Sequence, residues 1–248
     1  MQKNIIFRNK FKILLLTILF IAYYYSPYKV EGINFYHKIW AHRVNSIEKL
    51  NSSLNYFDGI ELDLVYNFEK NIFDVNHPPD ESKGLNFVDY INAIENNSLP
   101  FIWLDIKNIN KKNVDQILKK LLLIFKSKEY PLNKILIESK NANLLLQFEK
   151  VGFKTSFYLP SNLNKKNSLD LSKSLLDIKN VINKYPNVAI STSFKDYHIV
   201  KKEFPNHKKY IWAIVKPLHF NHFLIREILK DTSVEIVLLN YHVIRGNI

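Results

Sequence analysis

Cysteine is absent from the 248 residues, which excludes a disulfide framework, a zinc ribbon and a cysteine nucleophile. That absence is compatible with either side of a membrane, so it does not fix the compartment. Glycine is scarce, at 5 residues. Neither G-x-x-x-x-G-K-S/T nor G-x-G-x-x-G occurs, which removes the usual glycine-rich phosphate loops. There is no G-x-S-x-G elbow, so a serine hydrolase is disfavoured. Internal repeats and a low-complexity tail are also missing.

What is present is a chain long enough for one large domain, or one domain with an appendage. Its hydrophobic fraction of 47% is enough for a sizeable core. Positive charge dominates, at a formal +12. Five cations against Glu31 leave +4 in residues 1–36, and the remaining +8 is scattered along the rest. This balance favours an anionic partner such as a phospholipid headgroup or a phosphorylated substrate. The competing reading is compositional drift in a chain rich in Lys, Asn and Ile. A nucleic-acid partner is not expected, because no basic-aromatic stripe or recognised motif accompanies the charge.

Lys3, Arg8, Lys10 and Lys12 precede an uncharged run over 13–27 whose centre reads ILLLTILFIAYYY. A basic flank followed by an apolar run is the order of an export signal. No small-x-small cleavage site follows, and Tyr23, Tyr24 and Tyr25 resemble an interfacial aromatic anchor. Residues 1–36 are therefore expected to be a signal-anchor, or else a cleaved signal peptide, plus a linker. Residues 37–248 would then lie outside the cytoplasm, on the periplasmic side of a bacterial-type inner membrane.

Beyond residue 37, short apolar runs alternate with longer amphipathic ones. The expected strands are KIWAHRV (38–44), GIELDLV (59–65), FIWLDIK (101–107), KILIES (134–139), KTSFYL (154–159), VAISTSF (188–194), YIWAIV (210–215) and VEIVLLN (234–240). Helices are expected over 46–56, 86–95, 112–126, 142–151, 169–184, 197–203 and 219–230. Asn86 and Ser168 are the expected N-caps, and Pro100, Pro131, Pro186 and Pro217 punctuate loops. Eight strands alternating with helices predict an α/β fold, a single (β/α)8 TIM-type barrel behind an N-terminal hydrophobic anchor. A doubly wound open sheet is the alternative.

Strand side chains alternate between faces. Glu61 and Asp63 therefore share a face, as do Asp105 and Lys107, and His42 lies near a strand end. Barrel active sites collect at the C-terminal ends of strands, where all of these fall. Carboxylates this dense need a counter-charge. A divalent cation held by Glu61, Asp63 and Asp105 would supply it, and an all-oxygen set favours Mg²⁺ or Ca²⁺. The alternative is a structural network in which the acids pair with Lys107, Arg43 or Lys140. The segment NIFDVNHPPD is expected to turn back like a hairpin and bring His77 over the end of the second strand. Two imidazoles beside a metal suit general base and general acid roles. Glu138 ends the fourth strand, facing either the pocket or a loop salt bridge. Asn45 is either an N-cap for the helix at Ser46 or an amide that orients a ligand. Ser191, Ser193, Asn240 and His242 are weaker candidates. His37, His198, His207, His219 and His222 read as solvated or structural.

The series H-R, G-I-E-L-D, H and L-D-I-K over residues 40–108 resembles the glycerophosphodiester phosphodiesterase superfamily of phospholipase-C-like barrels. H-R-V-N-S and N-H-P-P look closest to its menorin-like branch, and H-x-V-N is also similar to sphingomyelinase D-type enzymes. The resemblance implies His42 and His77 as the acid–base pair and Glu61, Asp63 and Asp105 as metal ligands. It also implies Arg43 and Lys107 on phosphate oxygens, and Trp212 as a lining of the substrate pocket. The usual H-R-G is replaced by His42-Arg43-Val44, the E-N-T motif is missing, and the interval from His42 to Glu61 is short. These departures bear on the glycerol-specific substrate rather than on phosphodiester chemistry. The expected activity is metal-dependent cleavage of a phosphodiester, by water or by a neighbouring substrate hydroxyl that would first give a cyclic phosphate. The alternative is a non-catalytic, menorin-like barrel that binds or interacts outside the cytoplasm.

Overall fold

The computed structural model describes residues 2–95, 99–216 and 219–243, with side chains described from residue 9 onward. Pro217, expected to punctuate a loop, lies outside the described residues.

All eight expected strands form: β1 (Ile39–His42), β2 (Gly59–Asn67), β4 (Phe101–Ile106), β5 (Ile135–Ser139), β6 (Lys154–Tyr158), β7 (Ala189–Ser193), β8 (Lys209–Ala213) and β9 (Val234–Asn240). Each pairs in parallel with its neighbour, and β1 pairs with both β2 and β9, so the sheet closes on itself. This is the (β/α)8 barrel that the alternation predicts, and closure rules out the open doubly wound sheet.

The ninth strand was not expected. β3 (Ile72–Val75) runs antiparallel to an extended β2, with Leu64 opposite Val75 and Asn67 opposite Ile72. The expected turn-back thus takes the form of a regular hairpin, and the Asn76 amide donates to the Asp63 carbonyl at 3.2 Å. His77 is the next residue, so the hairpin fixes where it emerges.

The two faces of each strand build two different cores. Ile60, Leu62 and Leu64 point outward into the main core, with Ile102, Leu104, Ile135 and Ile137. The barrel interior is separate and aromatic, filled by Trp40, Trp103, Leu136, Tyr210 and Leu238. Gly59 marks the tightest contact there, since a Cβ would fall 2.3 Å from Trp40 ring atoms. Helices α2 (Ile47–Ser53), α3 (Phe87–Asn92), α4 (Val114–Ser127), α5 (Ala142–Lys150), α6 (Ser168–Lys184), α7 (Tyr197–Glu203) and α8 (His222–Lys230) flank the barrel. Helix α4 shows why they dock. Its Val114, Ile117, Leu121, Ile124 and Phe125 recur at helical spacing and are buried. Full burial of such a side chain is worth about 1.5–3 kcal/mol.

Two capping expectations need correction. Asn86 caps α3 as expected, accepting from the Val88 amide. For α6 the cap is Asn167, whose side chain accepts from the Asp170 amide, and Ser168 is the first helical residue. At α2 the cap is Ser46, accepting from Lys49. Asn45 is thereby free for another role.

The expected membrane anchor also needs correction. Helix α1 (Gln2–Tyr25) forms, but among the described residues no helix is long and apolar enough to cross a membrane. The physical reason is that its first half carries Lys3, Arg8, Lys10 and Lys12. The uncharged part, residues 13–25, rises only about 20 Å at ~1.5 Å per residue, against a hydrocarbon layer of about 30 Å. The last turn of α1 meets the C-terminal end of the barrel strands, where Tyr24 stacks on His242 with ring centroids 5.2 Å apart.

Candidate active site

The strand register builds the site. Asp63 on β2 is aligned with Asp105 on β4, and Asp105 with Glu138 on β5, so three acids form one inward-facing row. Glu61 lies one inward position deeper, aligned with Trp103. Side-chain oxygens of Glu61, Asp63 and Asp105 lie within 4.8 Å of one another. All nine residues singled out from the sequence, His42, Arg43, Glu61, Asp63, His77, Asp105, Lys107, Glu138 and Trp212, line a single cavity of about 130 Å³ at the barrel mouth.

Burial makes this concentration of acid costly. It pushes the Glu61 carboxyl well above the usual range, and the charges of Asp63 and Asp105 add to the effect. Asp105 is raised by burial too, against the opposing pull of Lys107. Glu138 is pushed up to about 8 by burial and by the charge of Asp105, with Ser191 pulling the other way. Glu138 therefore faces the pocket, accepting a hydrogen bond from the Ser191 hydroxyl rather than forming a loop salt bridge. Lys107 is the main resident counter-charge. Its Nζ lies 2.6 Å from Asp63 and 2.5 Å from Asp105. Burial disfavours its charge, but the two carboxylates outweigh that and hold it protonated. Arg43 is more remote, with Nε 3.9 Å from Asp63.

The donors present fit a hard divalent cation. Three carboxylates converge where one ammonium only partly balances them, and oxygen-only sets suit Mg²⁺ or Ca²⁺. The buried indole N–H of Trp103, in the cavity wall, is directed at Glu138 and helps pull that carboxyl's pKa down, though the contact falls short of ordinary hydrogen-bond geometry.

Loop 43–45 places three groups at once. Arg43 has a φ of 51°, in the left-handed region that few non-glycine residues occupy. The turn lets its backbone N–H donate to the Glu61 carboxylate at 2.7 Å. Asn45 holds Asp63 at both ends. Its amide donates to Asp63 Oδ2 at 2.7 Å, and its carbonyl oxygen accepts from the Asp63 N–H at 3.0 Å. Of the two roles open to Asn45, the structure thus selects orientation of an acid over capping. Lys49 ties the loop down by donating to the His42 and Arg43 carbonyls at 2.8 and 3.0 Å. Buried Tyr90 does the same at the Val44 carbonyl, at 2.7 Å.

The tautomer of His42 follows from its neighbours. Asn240 Nδ2 donates to the Val215 carbonyl at 3.0 Å, so Asn240 Oδ1 is turned to His42 Nδ1, 3.1 Å away. Nδ1 must then carry the proton, and Nε2 offers its lone pair 3.7 Å from Glu61. Burial lowers the His42 pKa to about 4, so the ring is neutral at physiological pH. His77 approaches from the hairpin side, with Nε2 2.6 Å from Arg43 Nη2, and accepts from the guanidinium.

Trp212 and Tyr158 form an aromatic wall, with ring centroids 4.6 Å apart. Tyr158, Trp103 and Lys49 were not singled out from the sequence. Period-two alternation along KTSFYL would have found Tyr158, whereas Lys49 acts through its reach to backbone and leaves no pattern. Among the weaker candidates, Asn240 joins the site through His42. Ser191 joins through Glu138. Ser193 accepts from the Lys195 amide instead, and His242 stacks on Tyr24.

No protein-family model and no curated protein matches the chain. Solved structures do. A Silicibacter pomeroyi DSS-3 protein named for glycerophosphoryl diester phosphodiesterase superimposes with a TM-score of 0.60 at 11% identity, over 85% of this chain and 94% of that one. The fold is that of the glycerophosphodiester phosphodiesterases. The Thermotoga maritima glycerophosphodiester phosphodiesterase matches with a TM-score of 0.52 at 13% identity, over 82% and 93% of the two chains. An Oleispira antarctica phosphodiesterase, in complex with its product sn-glycerol-3-phosphate, matches with a TM-score of 0.55 at 12% identity, over 85% and 95%. Identities this low carry the fold alone. They agree at that level with the resemblance read from residues 40–108.

Proposed function

We propose that the protein is a metal-dependent phosphodiesterase acting on glycerophosphodiester or phospholipid-headgroup phosphodiester bonds. One observation carries the reading: Glu61, Asp63 and Asp105 converge beside two imidazoles in one basic-rimmed cavity. The glycerophosphodiester phosphodiesterase fold supports the reaction class, and sn-glycerol-3-phosphate as product of the Oleispira antarctica neighbour supports a small phosphodiester substrate. The missing E-N-T motif and the short interval from His42 to Glu61 leave the alcohol portion open.

A cation held by Glu61, Asp63 and Asp105 would supply Lewis-acid charge to a non-bridging phosphate oxygen. The other parts belong to this chain. Lys107 and Arg43 neutralise phosphate oxygens as charge grows in the transition state. His42, with Nδ1–H fixed on Asn240, presents Nε2 as the base that accepts a proton from the attacking water or substrate hydroxyl. His77 supplies the leaving-group proton once substrate draws Arg43 away and Nε2, which here accepts from that guanidinium, takes up a proton. The Trp212–Tyr158 wall packs on the alcohol portion and limits water. Exchanging His42→Ala or His77→Ala should lower turnover of a phosphodiester by about 10²–10⁴-fold without unfolding the barrel. Near-wild-type turnover in either variant would remove the proposal.

A second reading, binding without turnover, is favoured by one contact: Lys107 lies on Asp63 and Asp105, part of the position a cation would take. Tight phosphodiester binding that is indifferent to metal, with no product formed, would select it. We also place the barrel outside the cytoplasm, on the basic-then-apolar order of residues 3–27. Protease accessibility in intact spheroplasts tests that placement.

A further inference from the structure

Glu31 is a buried carboxylate outside the barrel mouth. It lies in the short turn Val30–Gly32 that follows α1 and is 2% exposed. Its side-chain partners come from the far end of the sequence. His222 Nδ1 is 2.9 Å from Oε2, and His219 Nε2 is 3.5 Å from Oε1. One ligand atom from each of the three lies within 4.8 Å of the others. The nearby cationic side chains point elsewhere. Lys29 donates to the Tyr23 and Tyr24 carbonyls at 2.7 and 3.1 Å, and Arg226 to the Glu31 and Ile33 carbonyls at 3.3 and 3.1 Å. Among the described residues, no Lys or Arg pairs with the Glu31 carboxylate.

A buried carboxylate is costly without a paired charge. The two imidazoles supply it poorly. Their rings stack with centroids 4.1 Å apart, so protonating both would set two like charges face to face. Burial and the neighbouring His222 already lower the His219 pKa. With both rings neutral, the negative charge is offset only at longer range, by Lys29.

We propose that Glu31, His219 and His222 form a second metal site, for a borderline cation of the Zn²⁺ type. Two imidazole nitrogens and one carboxylate oxygen are a zinc donor set and a poor one for Mg²⁺ or Ca²⁺. A cavity of about 20 Å³, lined by Glu31 and His219 and also by Lys29 and Lys216, has room for a water as fourth ligand. Binding requires two tautomer shifts and releases no net proton. His222 moves its proton from Nδ1 to the solvent-facing Nε2. His219 moves its proton from Nε2 to Nδ1, which now accepts from the Asn221 backbone N–H at 3.0 Å. The Asn221 N–H must then turn to water, and the loss of one neutral hydrogen bond weakens binding by roughly tenfold. Structural zinc sites hold their ion far more tightly than that penalty. The ion would staple the segment after α1 to the loop between β8 and α8, beside the catalytic mouth. This inference stands independently of the reaction proposed above.

The test is a Co²⁺ titration of the chelator-stripped full chain, read by visible absorption. One equivalent should develop intense ligand-field bands that Zn²⁺ abolishes and that a large excess of Mg²⁺ or Ca²⁺ leaves in place. His222→Ala, at a side chain 34% exposed, should weaken binding at least about 100-fold while the chain stays folded. Glu31→Gln should do the same, and Asp63→Asn should keep the bands. Absent bands in the wild type would overturn the proposal. So would bands that survive His222→Ala but vanish in Asp63→Asn, because the ion would then sit at the barrel mouth.

Discussion

Two groups of carboxylates and imidazoles stand at the C-terminal end of the barrel strands, and they differ in how their charge is balanced. At the mouth, acids outnumber their resident cation. Glu61, Asp63 and Asp105 share Lys107, with Arg43 at the rim. Behind it, one acid faces two imidazoles and, among the described residues, is in direct contact with no Lys or Arg side chain. The first arrangement is oxygen-rich, open to solvent and able to take up both a hard cation and an anionic substrate. The second is nitrogen-rich and partly exposed at His222, suited to hold a softer ion. On the two proposals, excess of acid marks the reactive site and excess of imidazole marks the staple.

The largest expected effect comes from removing that excess. Asp63→Asn keeps the shape but deletes the charge shared between Lys107 and the cation position. It should cost several kcal/mol of transition-state stabilisation, roughly 10³-fold in turnover. Mg²⁺ or Ca²⁺ affinity should fall with it, while the Co²⁺ bands of the Glu31 group stay unchanged. Equal loss at both groups would mean that they are not separate.

A smaller effect follows from loosening an acid without removing it. Asn45→Ala leaves all three carboxylates but frees Asp63 to rotate. Outer-sphere partners of this kind are worth about 10–100-fold in metal affinity. Calorimetric titration with Mg²⁺ or Ca²⁺ reads this directly, and an unchanged affinity would reduce Asn45 to a loop-packing residue.

The smallest effect is on stability. Glu138 carries a carboxyl whose ordinary pKa is 4.5 and which burial raises to about 8. Between those values the folded chain binds a proton that the unfolded chain has released, so stability is full below about 4.5 and falls as pH rises toward 8. In Glu138→Gln that loss is gone. The variant should be the more stable protein at pH 8.5, by an amount on the order of 3 kcal/mol or less, and show a flatter profile of urea midpoint against pH. A wild-type midpoint that rises over the same window would contradict the assignment of Glu138 as a neutral acid.

The contrast between the two groups also explains what could be read from the sequence. The mouth is legible because strands alternate: G-I-E-L-D and L-D-I-K put their acids on one face by period two, and β2 and β4 happen to be neighbours in exact sequence order around the barrel. His77 is legible because a polar hairpin has few ways to return. The Glu31 group leaves no such trace. Residues 31, 219 and 222 lie on a short turn, a loop and the start of α8, whose meeting depends on how the segment after α1 wraps the barrel, so His219 and His222 read as solvated or structural. Asn45 sits between these cases. Its position before Ser46 fits a cap equally well, and only the proximity of Asp63 separates the roles. The anchor finds no support in the structure for a reason of length, since the charges of residues 3–12 shorten the apolar part of α1.

The most direct test of the central claim is ³¹P NMR of a soluble glycerophosphodiester and a phospholipid incubated with the full chain. Addition of Mg²⁺ or Ca²⁺ should convert the diester resonance of one of them to a monoester or cyclic phosphate. Chelator should stop the conversion, and His42→Ala should not perform it. A diester signal that persists with either cation, or a conversion indifferent to chelator, would contradict metal-dependent cleavage at this barrel mouth.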